Sequence, residues 1–280
     1  VSPRLNALVD AFLRSWSRDF VTTTVWGGHF QGNTREILQR YLYLYGVWEP
    51  NLTTWLSGRL ARGDVFVDVG ANIGYYTVLS AKRVGPHGHV VAIEAFQDIS
   101  AALTQHINRN HLCNVRVVNE AVSDRAQEVE LFHGLPWNTA ASSLINIPGY
   151  RSRGVIRART LAEMLTREEI RRARIIKIDV EGSEIKAIRG LVPVLSEVRD
   201  DCELVVEVGG ALPPAPSADV AYDQIYRLLK PFGFHCYQLL NSYEARAYLS
   251  RSRVVRPWRL RGSIEKEADL IFSRVDADSL

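Results

Sequence analysis

From residue 64 onward the chain alternates short aliphatic runs with longer stretches whose apolar positions recur at helical spacing. The runs are VFVDV (65–69), HVVAIE (89–94), VRVV (115–118), RIIKID (174–179) and ELVVEV (203–208). Residues 75–83 and 100–110 are two of the amphipathic stretches between them. Strands and helices in alternation predict a parallel sheet with helices on both faces. QEVELFH (127–133) and VIRAR (155–159) predict added strands flanking the loop GLPWNTAASSLINIPGYRSRG. GFHCYQLL (233–240) and ADLIFSR (268–274) follow one another with no strong helix between them, which suits an antiparallel edge. Thr160 with Glu163, and Thr166 with Glu169, have capping-box spacing and place short helices ahead of the strand at 174–179. Residues 1–60 read as helical, from the repeats Ile37, Leu38, Tyr41, Leu42, Tyr45 and Leu52, Trp55, Leu56, Leu60. The expectation is a helical extension, 1–60, on one α/β domain, 61–280.

Composition narrows the setting. With 46% hydrophobic and 23% charged residues, the 280-residue chain reads as globular. It has no apolar run near the roughly 18 residues of a membrane span. The N-terminal VSPRLNALVDAFLRSWSRDF is too interrupted by charge for a secretory h-region. Cys113, Cys202 and Cys236 have neither metal-ligand nor disulfide-framework spacing and are expected as buried thiols in a reducing cytoplasm. A net charge of +3 does not call for a nucleic-acid partner. Residues 246–261, however, hold six arginines and no acid, with Trp258 among them. That stretch is either a solvated basic face or a site for a phosphate, a nucleotide-linked sugar or an anionic lipid headgroup, through which the protein would touch a membrane peripherally.

The sharpest signal is VFVDVGANIGYYT (65–77), a strand that carries a carboxylate, Asp68, one residue before its end. Gly70 allows a sharp turn and close approach of a ligand, and Gly74 opens the next helix, whose free N–H groups favour an electron-rich group. The dinucleotide fingerprint G-x-G-x-x-G is not met, because Asn72 and Tyr75 stand at its later glycine positions. That absence, together with the lack of a catalytic Tyr-x-x-x-Lys spacing, counts against a nicotinamide-dependent oxidoreductase. D-x-G-A-N-x-G instead suits a ligand with an ammonium and a carboxylate. Glu94 ends the second strand 24 positions after Gly70, where it can accept hydrogen bonds from ribose hydroxyls. An amino-acid moiety at one strand end and a ribose at the next describe S-adenosylmethionine, with Ala71, Tyr75 and Ala95 adjoining the same turns.

These motifs resemble the FkbM family of S-adenosylmethionine-dependent methyltransferases. The resemblance continues through VNEAVSD (118–124) and IIKIDVEGSEIKAIRGL (175–191), with an upstream piece at YGVWEPNLTTWLSGRLARGD (45–64), and covers about residues 45–210. IKIDVEGSE is its most distinctive part. The sequence departs from the family at Thr160-Leu161-Ala162-Glu163, where an Asp usually follows the Leu. The resemblance implies a class I methyltransferase fold, Rossmann-like, with a seven-stranded, mostly parallel sheet whose last strand is antiparallel. It also implies O-methylation of a small molecule or glycan. Carried over by position, Asp68, Gly70, Asn72 and Gly74 would hold the methionine end and Glu94 the ribose, while Glu120 and Ala121 would border the adenine.

Period-2 alternation puts Lys177 and Asp179 on one strand face, with Glu181 continuing the row. The row is either a buried ion pair that positions a loop or the transfer centre, with Asp179 or Glu181 as general base and His133 and His235 as further candidates. Asp179 is also a candidate cofactor contact. Asp179, Glu181 and Glu207 are alternatively ligands for Mg²⁺ holding vicinal hydroxyls, with Glu207 otherwise a substrate contact. The acceptor site is expected between the 137–144 loop, residues 209–219 and residues 241–266. There Trp137 can stack on a sugar and Ser142 and Ser143 can bond its hydroxyls, unless all three only shape the loop. The N-terminal helices would cap that site or form a homodimer contact. The expected function is O-methylation of a sugar hydroxyl in a glycolipid, oligosaccharide or glycosylated natural product. The alternatives are a non-sugar acceptor such as a polyketide, an oxidoreductase, and a non-catalytic module. The N-P-P-Y or D-P-P-Y of amino methylation on bases is missing from the strand ending at Asp179.

Overall fold

The five apolar runs form β1 (Val65–Val69), β2 (His89–Ile93), β3 (Val115–Val118), β4 (Ala173–Ile178) and β5 (Glu203–Val208). The computed structural model describes residues 3–133, 150–209, 216–241, 243, 248, 256–264 and 268–280, without the side chains of 3–8 and 133. All five residues of β1 are buried, which is why four of them are apolar without alternation and Asp68 stands out among them. The remaining strands of the main sheet are β6 (His235–Leu239) and β7 (Ala268–Ser273). Their order is β3-β2-β1-β4-β5-β7-β6, with the two-residue strand Trp258–Arg259 added outside β6. Neighbours among β1 to β5 run parallel, while β7 is antiparallel to both β5 and β6. This is the expected seven-stranded class I sheet with an antiparallel last strand, extended by one short edge strand.

Each strand buries alternate residues on opposite faces. Val67, Val69, Ile176 and Ile178 pack with Ile188, Leu191 and Ile225 from helices Glu184–Leu191 and Ala218–Leu229. Phe66, Ile175, Val205 and Ile271 pack with Leu52, Leu56, Val78 and Leu79 from helices Pro50–Arg59 and Tyr75–Val84. Strand order reverses between β1 and β4, so the carboxyl ends of these two strands border the crevice where ligands bind in such sheets.

The first 60 residues are not helical throughout. Between helices Pro3–Ser15 and Ile37–Tyr45 lies an antiparallel hairpin, Asp19–Thr23 with His29–Asn33. The β-branched Val21, Thr22 and Thr23 favour the extended form. Thr24 accepts the Gly28 N–H on its hydroxyl at 2.7 Å, closing the turn. The hairpin is fastened to helix Gln97–Arg109 and to the residue after it. Asn110 exchanges two hydrogen bonds with the His29 backbone, at 2.9 and 2.8 Å. Gln127–His133 and Arg151–Arg159 form the expected added strands in a second, three-stranded sheet with Ala121–Val122. Both capping boxes are present, with Thr160 and Thr166 each accepting from the backbone N–H three residues on. All three cysteines are free; Cys202 and Cys236 are buried as expected, but Cys113 is exposed.

Gly70 and Gly74 stand where the fold leaves no room for a side chain, and Gly70 also lines the cavity at the strand ends. A Cβ on Gly70 would lie 1.7 Å from the Asp179 carbonyl oxygen, and one on Gly74 would lie 2.4 Å from Leu103 Cδ1. Gly70 has φ +81°, and its turn lets the ends of β1 and β4 touch, with the Asp179 N–H donating to the Val69 carbonyl at 3.0 Å. Gly70→Ala adds left-handed strain to a backbone clash and should cost roughly 3 kcal/mol. Urea denaturation checks this, and a loss below about 1 kcal/mol would contradict the packing role.

Candidate active site

A cavity of about 370 Å³ opens at the carboxyl ends of β1, β2 and β4. Asp68 reaches it from β1. It is 1% exposed; its Oδ2 accepts from the Thr77 hydroxyl at 2.6 Å, and its Oδ1 has no partner. Burial raises the Asp68 carboxyl's pKa, against the pull of the nearby Lys177 ammonium. A buried carboxylate oxygen left bare at a cavity wall is costly unless a cation meets it there.

Glu94, just beyond β2, is 6% exposed. Its two oxygens accept from the backbone N–H groups of Asn72, at 2.8 Å, and Phe96, at 2.9 Å. Burial lifts its pKa to about 7 in spite of these two donors. Asn72 stands at φ +51°, and its N–H is spent on Glu94, so the turn after β1 and the end of β2 form one unit. Asn119 bonds the carbonyls of Glu94 and Ala95 at 2.8 and 3.0 Å, fixing the next turn. Ala71, Ala95, Phe96, Ile99 and Ala121 give this end of the cavity an apolar slot. Glu120 sits beside the slot, held by Arg159 at 2.5 Å. Tyr75 offers the cavity its ring alone, because its hydroxyl accepts from Trp26 Nε1 at 2.9 Å and also bonds Thr53. The bare Asp68 oxygen, the Glu94 carboxylate with a lone pair to spare on each oxygen, and the apolar slot fit the ammonium, ribose and adenine of S-adenosylmethionine.

The opposite end carries the charge. Lys177 is 3% exposed, donates to Asp179 Oδ2 at 2.8 Å and lies 5.0 Å from the Tyr76 ring centre. Burial works against its charge, but Asp179, Asp68 and Glu49 together keep it firmly protonated. Burial likewise opposes ionisation of Asp179, yet Lys177 and a hydrogen bond from Glu207 outweigh it and hold that carboxyl below its ordinary range. Glu207 donates that bond; burial and the Asp179 charge push its pKa well up. Glu181 also lines the cavity, but not as the third member of a strand row. The strand stops at Ile178, and the chain turns through left-handed conformations at Glu181, φ +48°, and Gly182, φ +95°.

Four site residues were missed in the sequence, the acids Glu49 and Glu184 and the phenols Tyr76 and Tyr243. Glu49, buried at φ +41° before Pro50, accepts from the Tyr76 hydroxyl at 2.5 Å and the Tyr243 hydroxyl at 2.8 Å. Glu184 accepts the Gly182 and Val180 N–H groups at 2.9 and 3.2 Å and so holds the turn after β4. Burial lifts its pKa to about 7. Both acids lie in the quoted YGVWEP and IKIDVEGSE segments, which were the available signal.

Other expectations fare differently. His235 is no base here: it does not line the cavity, and its ring bonds Arg259 at 2.6 Å. The side chain of His133, and Trp137, Ser142 and Ser143, lie outside the described residues. Asp179, Glu181 and Glu207 form no metal centre; among the described residues no group of three or more His, Cys, Asp or Glu could hold an ion. The reason is that Asp179 is taken up by Lys177 and by the proton it shares with Glu207. In the described part of the basic stretch, Arg259 pairs with Asp276 at 2.6 Å and Arg261 with Asp278 at 2.8 Å, so acids beyond that window offset it. No helix among the described residues is long and apolar enough to cross a membrane.

A sheet of this strand order, with a crevice at its switch point, is the class I methyltransferase fold. Residues 68–236 match the model of the methyltransferase FkbM domain, and the chain belongs to that family. A protein-L-isoaspartate O-methyltransferase from Ignicoccus hospitalis is 30% identical over 71 residues, 25% of this chain; the chain spans about a third of that relative's length, 34%. Among solved structures, a putative rRNA methylase from Clostridium thermocellum is similar at 10% identity and TM-score 0.47, over 81% of this chain and 95% of its own. The precorrin-6y C5,15-methyltransferase of Geobacter metallireducens GS-15 is similar at 10% identity and TM-score 0.46, over 80% and 88%.

Two outcomes test the cofactor end. Asp68→Asn should weaken S-adenosylhomocysteine binding more than tenfold by calorimetry while the fold persists, and unchanged affinity would contradict the role of the bare oxygen. Glu94 keeps its proton to about pH 7 when folded, against a reference value of 4.5, so its ionisation destabilises the fold progressively between those values. The stability of Glu94→Gln relative to the unsubstituted protein should therefore rise by about 3 kcal/mol from pH 4.5 to pH 8, read by urea denaturation at both. A pH-independent difference would contradict it.

Proposed function

We propose that the protein is an O-methyltransferase acting on a sugar hydroxyl of a glycolipid, oligosaccharide or glycosylated natural product. One observation carries the reading: an aromatic wall and a carboxyl cluster share the cavity that holds Asp68 and Glu94. Trp48 and Tyr243, with ring centres 5.3 Å apart, stand beside Glu49, and Asp179 and Glu207 line the same cavity. Aromatic faces suit the apolar face of a sugar ring, and carboxyl oxygens suit its hydroxyls. Lys177 is the one cation lining this cavity among the described residues, and it is already bound to Asp179, which favours an uncharged acceptor.

S-adenosylmethionine supplies an electrophilic methyl group on a positively charged sulfur. Within the site, Asp68 holds the amino-acid end and Glu94 the ribose. Asp179 takes the acceptor's proton, and Lys177 fixes the orientation of that carboxylate. Much of the acceleration comes from aligning acceptor and methyl group. Residues 1–60 act as an extension of the 61–280 domain that walls the acceptor side through Ile37, Leu38, Trp48 and Glu49. The three free thiols suit a reducing compartment such as the cytoplasm.

The test is transfer of labelled methyl from S-adenosylmethionine to a panel of glycosides and their aglycones. Label on the sugar, with kcat lowered about 100-fold or more by Asp179→Asn, is the expected result. Label on the aglycone alone, or an Asp179→Asn enzyme of full activity, would overturn the assignment.

A further inference from the structure

The acids at the transfer end outnumber what Lys177 can neutralise, and two of them touch. Ile178 of β4 is the register partner of Val206 of β5, so Asp179 and Glu207 adjoin at the strand ends and line one cavity. Their carboxyls are hydrogen-bonded to each other, an arrangement that requires a proton between them. Charged and titratable groups face this pair from every side. Lys177 comes from β4 itself, and Asp68 from β1, where it is the register partner of Lys177. Glu49 precedes helix Pro50–Arg59, Tyr76 is in the first turn of the helix after β1, and Tyr243 follows β6. Asp269 on β7 is the register partner of Glu207, and Glu181 lines the same cavity. Glu94 after β2 and Glu184 in the helix after β4 lie within reach of the Asp179 charge. Glu49, Asp269 and Asp179 all raise the pKa of Glu207, after burial as the largest cause.

We propose that the Asp179–Glu207 pair holds one proton in the free protein and releases it to solvent when a ligand brings positive charge into the cavity, so that the pair selects S-adenosylmethionine over S-adenosylhomocysteine. This rests on the methyltransferase reading and deepens it. The two ligands share an ammonium, a carboxylate, a ribose and an adenine, and they differ in the methyl group and the positive charge of the sulfur. Proton exchange driven by the shared groups therefore cancels between them, and the Glu207→Gln variant separates the carboxyl pair from any other acid that responds to the extra charge. The same exchange closes the proton balance of the reaction. The pair loses its proton to solvent as the cation arrives and stands doubly ionised next to the acceptor. When the methyl group leaves sulfur for the acceptor oxygen and the cation is lost, the acceptor's proton moves to the pair and restores its initial state. One proton is released overall for each hydroxyl methylated, as the stoichiometry of ether formation requires.

The experiment is titration calorimetry of each ligand in two buffers of different ionisation enthalpy, which counts the protons released. At pH 7.5, S-adenosylmethionine should release close to one proton more than S-adenosylhomocysteine. Between pH 6 and 7.5 its relative affinity should rise about tenfold per pH unit. Glu207→Gln should remove the extra proton and flatten that slope while still binding S-adenosylhomocysteine, which also shows that the variant is folded. Equal proton counts for the two ligands, or an extra proton that survives in Glu207→Gln, would overturn the proposal while leaving the methyltransferase reading intact. No binding heat from either ligand would instead overturn both.

Discussion

Lys177 sits inside the sheet with its ammonium on Asp179 and its backbone paired with Asp68 across the β1–β4 seam. A buried charge persists only where opposite charges surround it, and this lysine is matched by more carboxyls than it can neutralise. Asp68, Asp179 and Glu49 all stabilise its charged form. The acidic surplus leaves one Asp68 oxygen bare and two carboxyls in contact, a setting that favours an incoming positive charge. The glycine at residue 70 makes the arrangement possible, since only there can the end of β4 come against the turn after β1.

The site joins two chemistries in one cavity. At the β1–β2 end, backbone N–H groups satisfy both oxygens of Glu94, and apolar residues line the slot beyond it, so recognition there depends on shape and a few fixed acceptors. At the β4–β5 end, Lys177, Asp179, Glu207 and Glu49 share few protons among several carboxyls, and the local field changes with whatever charge enters. Glu49 belongs to this second end. It is bonded to Tyr76 in the helix after β1 and to Tyr243 near the C-terminal strands, so it ties three distant parts of the chain around one carboxylate.

How much was legible follows from the range of the interactions. Central parallel strands are buried on both faces and read as mainly aliphatic runs without strict alternation, so β1, β2, β4 and β5 were visible, and the charge inside VFVDV marked Asp68. Glu94 was singled out by its place at a strand end, where a ribose-binding acid is expected in such sheets, and it does line the cavity. Capping boxes are local and were also readable. The hairpin at 19–33 was not, because its short strands lie between two helices and gain their stability from His106 and Asn110 far along the chain. Glu49 escaped notice for the same reason, with partners 27 and 194 positions away. The arginine stretch looked unneutralised because Asp276 and Asp278 lie 17 positions beyond their partners.

A crystal structure of the protein with S-adenosylhomocysteine tests the central claim most directly. The account predicts the ligand's amino group against the bare Oδ1 of Asp68, its ribose hydroxyls on Glu94, and its sulfur facing the Asp179 side of the cavity. A ligand bound with its ribose away from Glu94, or with Asp68 still unpartnered, would contradict it.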